Sequence, residues 1–294
     1  MNDLSGDDPL WPHFGPLWRD LQATASQSIL IAGGYGLFLK QKFLRANVGI
    51  PVVVPLDRWP NASPRVTNDL DLVIGLDLIA DEKTQHAFKI ALDKHGFSVN
   101  ERNPRWQFEK RVSETHRVVV DLHAPLPAKD QSNLQTHGRR VKRKPSLGEE
   151  GIHGHTNPEA VGCDLHPFRF EVDGTSILVP NPVTWSIMKL SAMSDRWNIS
   201  DDATQSADKR GFSRSQAIKH AQDVCRVVAL VTRDENETAP TVVEALRATP
   251  EFTHATHIFN TLLTDDERLA AQIAAGWSPE DLKIIRTTLS RWFR

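Results

Sequence analysis

Asp69 and Asp71 stand two residues apart in Arg65-Val-Thr67-Asn-Asp69-Leu-Asp71-Leu-Val-Ile74, a segment otherwise apolar enough for a buried strand. A strand's side-chain period of two puts both carboxylates on one face. Two like charges that close are costly unless a cation lies between them, and a divalent metal meets that need. A third acid, Asp121, closes the β-branched run Arg117-Val-Val-Val-Asp121-Leu122, and the expected neighbour of that run is the strand of Asp69 and Asp71. Upstream, Gly33-Gly34 separates the apolar run Ser28–Ala32 from a helical pattern over Tyr35–Arg45. Glycine lets backbone N–H groups approach an anion and a helix N-terminus favours negative charge, so this order suits a phosphate cradle; alone, it suits equally a tight turn before a core helix. Three carboxylates from two strands can hold one or two Mg²⁺ (or Mn²⁺) ions through oxygen ligands. The chemistry such a set supports is in-line nucleotidyl transfer from an NTP, with the protein supplying position and charge stabilisation.

The elements that must position these groups are legible in pattern. Pro16–Gln27 reads as a leading helix with Pro16 in its first turn. Ile50–Pro55 is β-branched, and 57–64 is a turn-rich connection into the strand that opens at Arg65. Glu82–His95 reads as an amphipathic helix closed by Gly96, and Phe97–Asn100, Trp106–Val112 and Arg117–Leu122 follow as strands. From Ala128 to Gly162 the chain is polar and rich in Gly, Pro and His, the pattern of a long loop or mobile insertion. Phe168–Val172 and Ser176–Val179 around Asp173-Gly174 read as a hairpin. Beyond Pro180 and Pro182 the pattern is helical over Trp185–Arg196, Ser215–Val231, Val242–Ala248, Ala255–Leu263, Asp265–Ala275 and Pro279–Phe293, with a polar connection at Asn198–Ser213. The division expected is an α/β portion over 1–180, with a basic insertion at about 129–162, and an all-helical portion over 181–294; the fold class is α+β.

A chain of 294 residues can hold one large domain or two modest ones. Its net charge of −2 excludes a globally basic nucleic-acid binder but not a local patch. His137-Gly-Arg139-Arg140-Val-Lys142-Arg143-Lys144 gathers five cations in eight residues, and it suits a solvated loop or a phosphate-rich partner equally. Cys163 and Cys225 lack the spacing of a zinc site or a disulfide framework, and the spacing of His153 and His155 is too common to define a metal site. An acidic start and the lack of a long apolar run predict a cytoplasmic protein with no membrane partner.

Several motifs together resemble the DNA polymerase β-like nucleotidyltransferase superfamily, and within it the AbiEii/AbiGii-type toxins of bacterial toxin–antitoxin systems. They are Gly33-Gly34, Arg65-x-Thr67-x-Asp69-x-Asp71, Val120-Asp121-Leu122, Val179-Pro180, Lys189-Leu-x-Ala192-x-x-x-Arg196 and Lys219-x-x-x-Asp223, spread over roughly 28–230. The resemblance implies a nucleotidyltransferase-like mixed sheet with flanking helices. It implies metal ligation by Asp69, Asp71 and Asp121, with Asp121 also helping to deprotonate the acceptor hydroxyl. It implies triphosphate contact at Gly33 and Gly34, phosphate neutralisation by Lys189 and Arg196, and nucleotide-site positions at Arg65, Thr67 and Asp223. Tyr35 and Gly36 follow the glycine pair where relatives carry a small residue, often a hydroxylated one. The function implied is NMP transfer from an NTP to an acceptor, the tRNA 3′ end, by a toxin governed by an antitoxin protein. On that reading Arg139, Arg140, Lys142, Arg143 and Lys144 meet the tRNA. The alternatives from the same residues are transfer to a small antibiotic-like molecule, or a degenerate module that binds nucleotide or protein.

Overall fold

The structure is a computed structural model and describes residues 8–25, 28–59, 69–264 and 266–294. The chain is α+β and divides into two compact units: Met1–Ala46 with Pro64–Pro180, and Asn47–Ser63 with Asn181–Arg294. The sequence division at 180 therefore misses an excursion, because the β-branched stretch after Ile50 belongs with the helical unit. There Val53 and Val54 donate backbone hydrogen bonds to Val231 and Ala229, and Val52 forms a lone bridge with Thr232.

The first unit runs α1 (Trp11–Ala25), β1 (Ile29–Ile31), α2 (Gly33–Ala46), β2 (Asp69–Ile74), α3 (Leu76–Ala80), α4 (Glu82–Lys94), β3 (Ser98–Val99), β4 (Gln107–Arg111), β5 (Arg117–Ala124), β6 (Leu134–His137), β7 (Arg140–Arg143), β8 (Gly154–Thr156), β9 (Phe168–Val172) and β10 (Thr175–Val179). A mixed sheet follows the order β1-β2-β5-β8-β7-β6, with β4 also on β5 and β3 on β4; β9 and β10 form a separate hairpin. Strand β5 organises it. Val118, Val120, Leu122 and Ala124 are buried while Val119, Asp121 and His123 are half-buried, the alternation of a strand with one face on the core. With Leu70, Leu72 and Phe108 these residues form the core face, each large side chain contributing about 1.5–3 kcal/mol by leaving water. The opposite face carries Val119, Asp121 and His123.

Two expectations for this unit are corrected. Pro16 lies inside α1, because the helix starts five residues earlier, where Asp8 Oδ1 accepts from the Leu10 and Trp11 N–H groups and serves as the first-turn cap. The 129–162 stretch is not a loop insertion. It folds as β6, β7 and β8, which extend the sheet, held by Leu134 and Val141 in the core and by a β7–β8 pairing that sets Val141 against Gly154.

The second unit carries α5 (Pro182–Asp201), α6 (Ala207–Ala229), α7 (Arg233–Leu246), α8 (Pro250–Ile258), α9 (Glu267–Ala274) and α10 (Pro279–Trp292), with a π-helical turn over Phe259–Thr264. Local caps start its helices: Asn181 accepts from Thr184 N–H, Ser206 from Lys209 N–H, and Thr232 and Glu235 form a reciprocal capping box. Most of the polar connection expected at 198–213 is helix, since α5 runs on to Asp201 and the Ser206 cap starts α6 early. No helix among the described residues is long and apolar enough to cross a membrane.

Candidate active site

Strands β2 and β5 pair in parallel with Asp71 directly opposite Asp121 and Asp69 opposite Val119. The three carboxylates thus share the face of the sheet that faces away from the core, Asp69 exposed and the other two half-buried. Strand β1 pairs antiparallel with β2, and the Ala32 N–H donates to the Asp71 carbonyl at 2.8 Å, which sets Gly33 against the Asp71 side chain. Gly33 has φ +61, and a Cβ placed on it would stand 1.8 Å from Asp71 Oδ2 and 2.9 Å from Asp71 Cβ. Only glycine serves at this position. Gly33 and Gly34 open α2, so their N–H groups are among those a helix leaves without internal partners, beside Asp71. Tyr35 is turned away from the face. It is buried, stacks on Phe38 and donates its hydroxyl to Asp8 Oδ2 at 2.7 Å, and burial and the Asp8 charge push its pKa well up.

The acids hold partners that the sequence reading did not identify. His123 Nε2 lies 3.3 Å from Asp71 Oδ1, and Gln107 Nε2 donates to Asp121 Oδ1 at 2.7 Å. Burial pushes the Asp121 carboxyl above the usual carboxylate range; Gln107 and His123 oppose this, and the charges of Asp71 and Asp69 add to it. Burial works against charge on His123, but the Asp71 hydrogen bond and the charges of Asp71 and Asp121 outweigh it and raise its pKa. His123 thus sets an imidazole beside Asp71 where the sequence argument placed a metal. Next to it, His155 meets His123 edge-on and stacks on Trp106, and the Arg140 guanidinium lies 4.5 Å from the Trp106 ring centre. A signal for His123 existed: it stands two residues after Asp121 on one strand and shares its face by the same period that pairs Asp69 with Asp71. Gln107 had none, because it reaches Asp121 only through the β4–β5 register.

The remaining candidates fall elsewhere. Arg65 and Thr67 lie outside the described residues. Lys189, Arg196 and Asp223 belong to the second unit. Lys189 on α5 is 7% exposed and its Nζ lies 3.0 Å from Oδ2 of Asp223 on α6, which is 1% exposed; Arg226 Nη1 stands 3.7 Å from the other oxygen. Asp223 is therefore a buried partner of Lys189, and Arg196 is exposed on α5. Of the basic run, Arg143 is spent on structure, donating to the Ala80 carbonyl and pairing with Glu82 at 3.3 Å, and Arg140 stacks on Trp106. Arg139 and Lys144 are exposed.

Carboxylate oxygens are the donors that Mg²⁺ and Mn²⁺ prefer, and the register places two side by side. Among the described residues no group of three His, Cys, Asp or Glu is arranged to hold a metal ion. The Asp71–Asp121 pair by itself offers two carboxylates, the number that commonly holds an ion of the Mg²⁺ kind when substrate phosphates and water complete its shell. Comparison of the chain with protein-family models, with curated proteins and with solved structures gives no match.

Proposed function

We propose that this chain is a metal-dependent nucleotidyltransferase that moves NMP from an NTP to an acceptor hydroxyl, the tRNA 3′ end, as a toxin restrained by an antitoxin protein. The observation that carries the reading is the in-register Asp71–Asp121 pair with the glycine-opened N-terminus of α2 packed against Asp71. In this reading Asp71 and Asp121 would hold the ion with Asp69 beside them, and the chemistry it would supply when bound is neutralisation of the triphosphate and a lowered pKa for the attacking hydroxyl. The N–H groups of Gly33 and Gly34 receive phosphate oxygens. Asp121 would accept the proton of the acceptor hydroxyl. His123 holds Asp71 in orientation, and Gln107 does the same for Asp121.

The test is incubation with labelled NTPs, Mg²⁺ or Mn²⁺, and total tRNA. Label on tRNA with wild type, and its loss in Asp71→Asn, supports the reading; equal labelling by both proteins overturns it. A second reading, a nucleotide-binding module without turnover, draws on the partners that His123 and Gln107 already provide for the acids. Metal-dependent NTP binding with no transfer to tRNA or to aminoglycoside and lincosamide acceptors would favour it.

A further inference from the structure

Helix α10 presents Lys283, Arg286 and Arg291, and among the described residues none of the three has a carboxylate within 4.0 Å. The acids at the start of the helix do not neutralise them, because Arg58 Nη2 takes both, at 2.5 Å from Asp281 and 3.4 Å from Glu280. Lys283 and Arg286, three residues apart, are like charges at neighbouring positions on the helix surface, a pairing that is destabilising where nothing anionic meets it, and Arg291 follows on the far side of Lys283. Two clefts flank this row within the helical unit. One of about 530 Å³ is lined by Trp277, Pro279, Leu282, Lys283 and Arg286. The other, of about 340 Å³, is lined by Val53, Ile284 and Arg291, and Lys283 and Thr287 line both.

The row from Lys283 to Arg291 rises about 12 Å along the helix, too long for one phosphate group. Leu282, Ile285, Leu289 and Trp292 are buried in the unit's own core and Ile284 is half-buried, so the helix lacks the exposed apolar stripe that would enter a bilayer. Cations in a row, a hydroxyl between them, and pockets with apolar walls on either side match the needs of a single strand: phosphates along the ridge, bases turned into the clefts. We propose that α10 is a backbone track for a single-stranded polynucleotide, held by Lys283, Arg286 and Arg291. That the strand is the acceptor rests on the proposed function; that it binds does not.

Fluorescence anisotropy of the full chain with a labelled single-stranded RNA, over a range of salt, tests this. The variant K283E/R286E/R291E is expected to bind at least tenfold more weakly, with a salt slope smaller by about 2 from three lost phosphate contacts. Wild-type affinity and slope in that variant, with its circular dichroism unchanged, overturn the proposal. If it does not fold, the neutral pair K283Q/R286Q carries the same test at about two-thirds of the slope change. Binding of phosphatidylserine vesicles or poly-L-glutamate as tightly as RNA overturns it too, as does full displacement of RNA by equimolar ATP. A wild type that binds RNA through α10 but transfers no label to tRNA sinks the proposed function alone.

Discussion

At the scale of single residues, Asp71 is where three constraints meet: the Gly33 backbone on one side, the His123 imidazole at 3.3 Å, and Asp121 at the same register level. Asp121→Asn removes a charge from a pair that repels and keeps an oxygen for Gln107, so the variant keeps or gains thermal stability while transfer falls at least about a hundredfold; Asp71→Asn loses transfer alike but also the carboxylate that meets His123, and no gain in stability is expected of it. A labelled-NTP assay beside a thermal melt checks both halves, and a variant that loses its fold with its activity would return the acids to a structural role. Gly33→Ala acts on the same atom from the other side. Alanine at φ +61 costs about 1–2 kcal/mol, and rotating Asp71 does not free the space because its Cβ also lies 2.9 Å from the new methyl. A fall in melting temperature of a few degrees is expected with a larger loss of transfer; full activity would mean that Asp71 can leave its place without consequence.

At the scale of elements, what the sequence showed depended on how much of each element is buried. Strands β2, β4 and β5, the β9–β10 hairpin and the helix closed by Gly96 were legible because apolar spacing and turn residues agree there. The β6–β7–β8 extension was not: it buries few side chains, and the half-buried cations of β7 mask a period-two pattern with only Leu134 and Val141 at its apolar positions. The acid set was readable from spacing, whereas Gln107 on Asp121 and Asp223 on Lys189 arise from packing between elements distant in sequence. Each leaves a measurable trace. Gly154 of β8 has room for no side chain, since a Cβ there would stand 2.3 Å from the Ala124 Cβ on β5. Gly154→Ala is expected to cost about 1–3 kcal/mol and to disturb the Trp106–His155 stack, read as lower urea resistance and altered tryptophan emission. Asp223→Ala strands the Lys189 charge in the helical core and is expected to cost about 3–5 kcal/mol. An Asp223→Ala protein as stable as wild type would show that Lys189 reaches water or another partner.

At the scale of the whole molecule, mild acid acts on the chain through groups of opposite sign. Asp121 and His123 both have raised pKa values, so protonation as pH falls favours the folded state at their positions. His153 works the other way. It is 3% exposed in the first unit, and burial, with the charges of Arg105, Arg140 and Lys142, lowers its pKa to about 4. In the unfolded chain it titrates near 6.5. Between those values the unfolded state binds the proton and the folded state does not, so stability held above pH 6.5 is lost as pH falls toward 4, by up to about 3 kcal/mol. The net slope of the wild type mixes this loss with the gains at Asp121 and His123, and a variant is needed to separate them. His153→Gln removes the titrating ring, so the difference in unfolding free energy between variant and wild type should move in the variant's favour as pH is lowered from 7 to 4.5. Urea unfolding at three or four pH values across that window measures it. Parallel curves would mean that His153 binds its proton without leaving the fold, and the acid sensitivity of this unit would then lie with other groups.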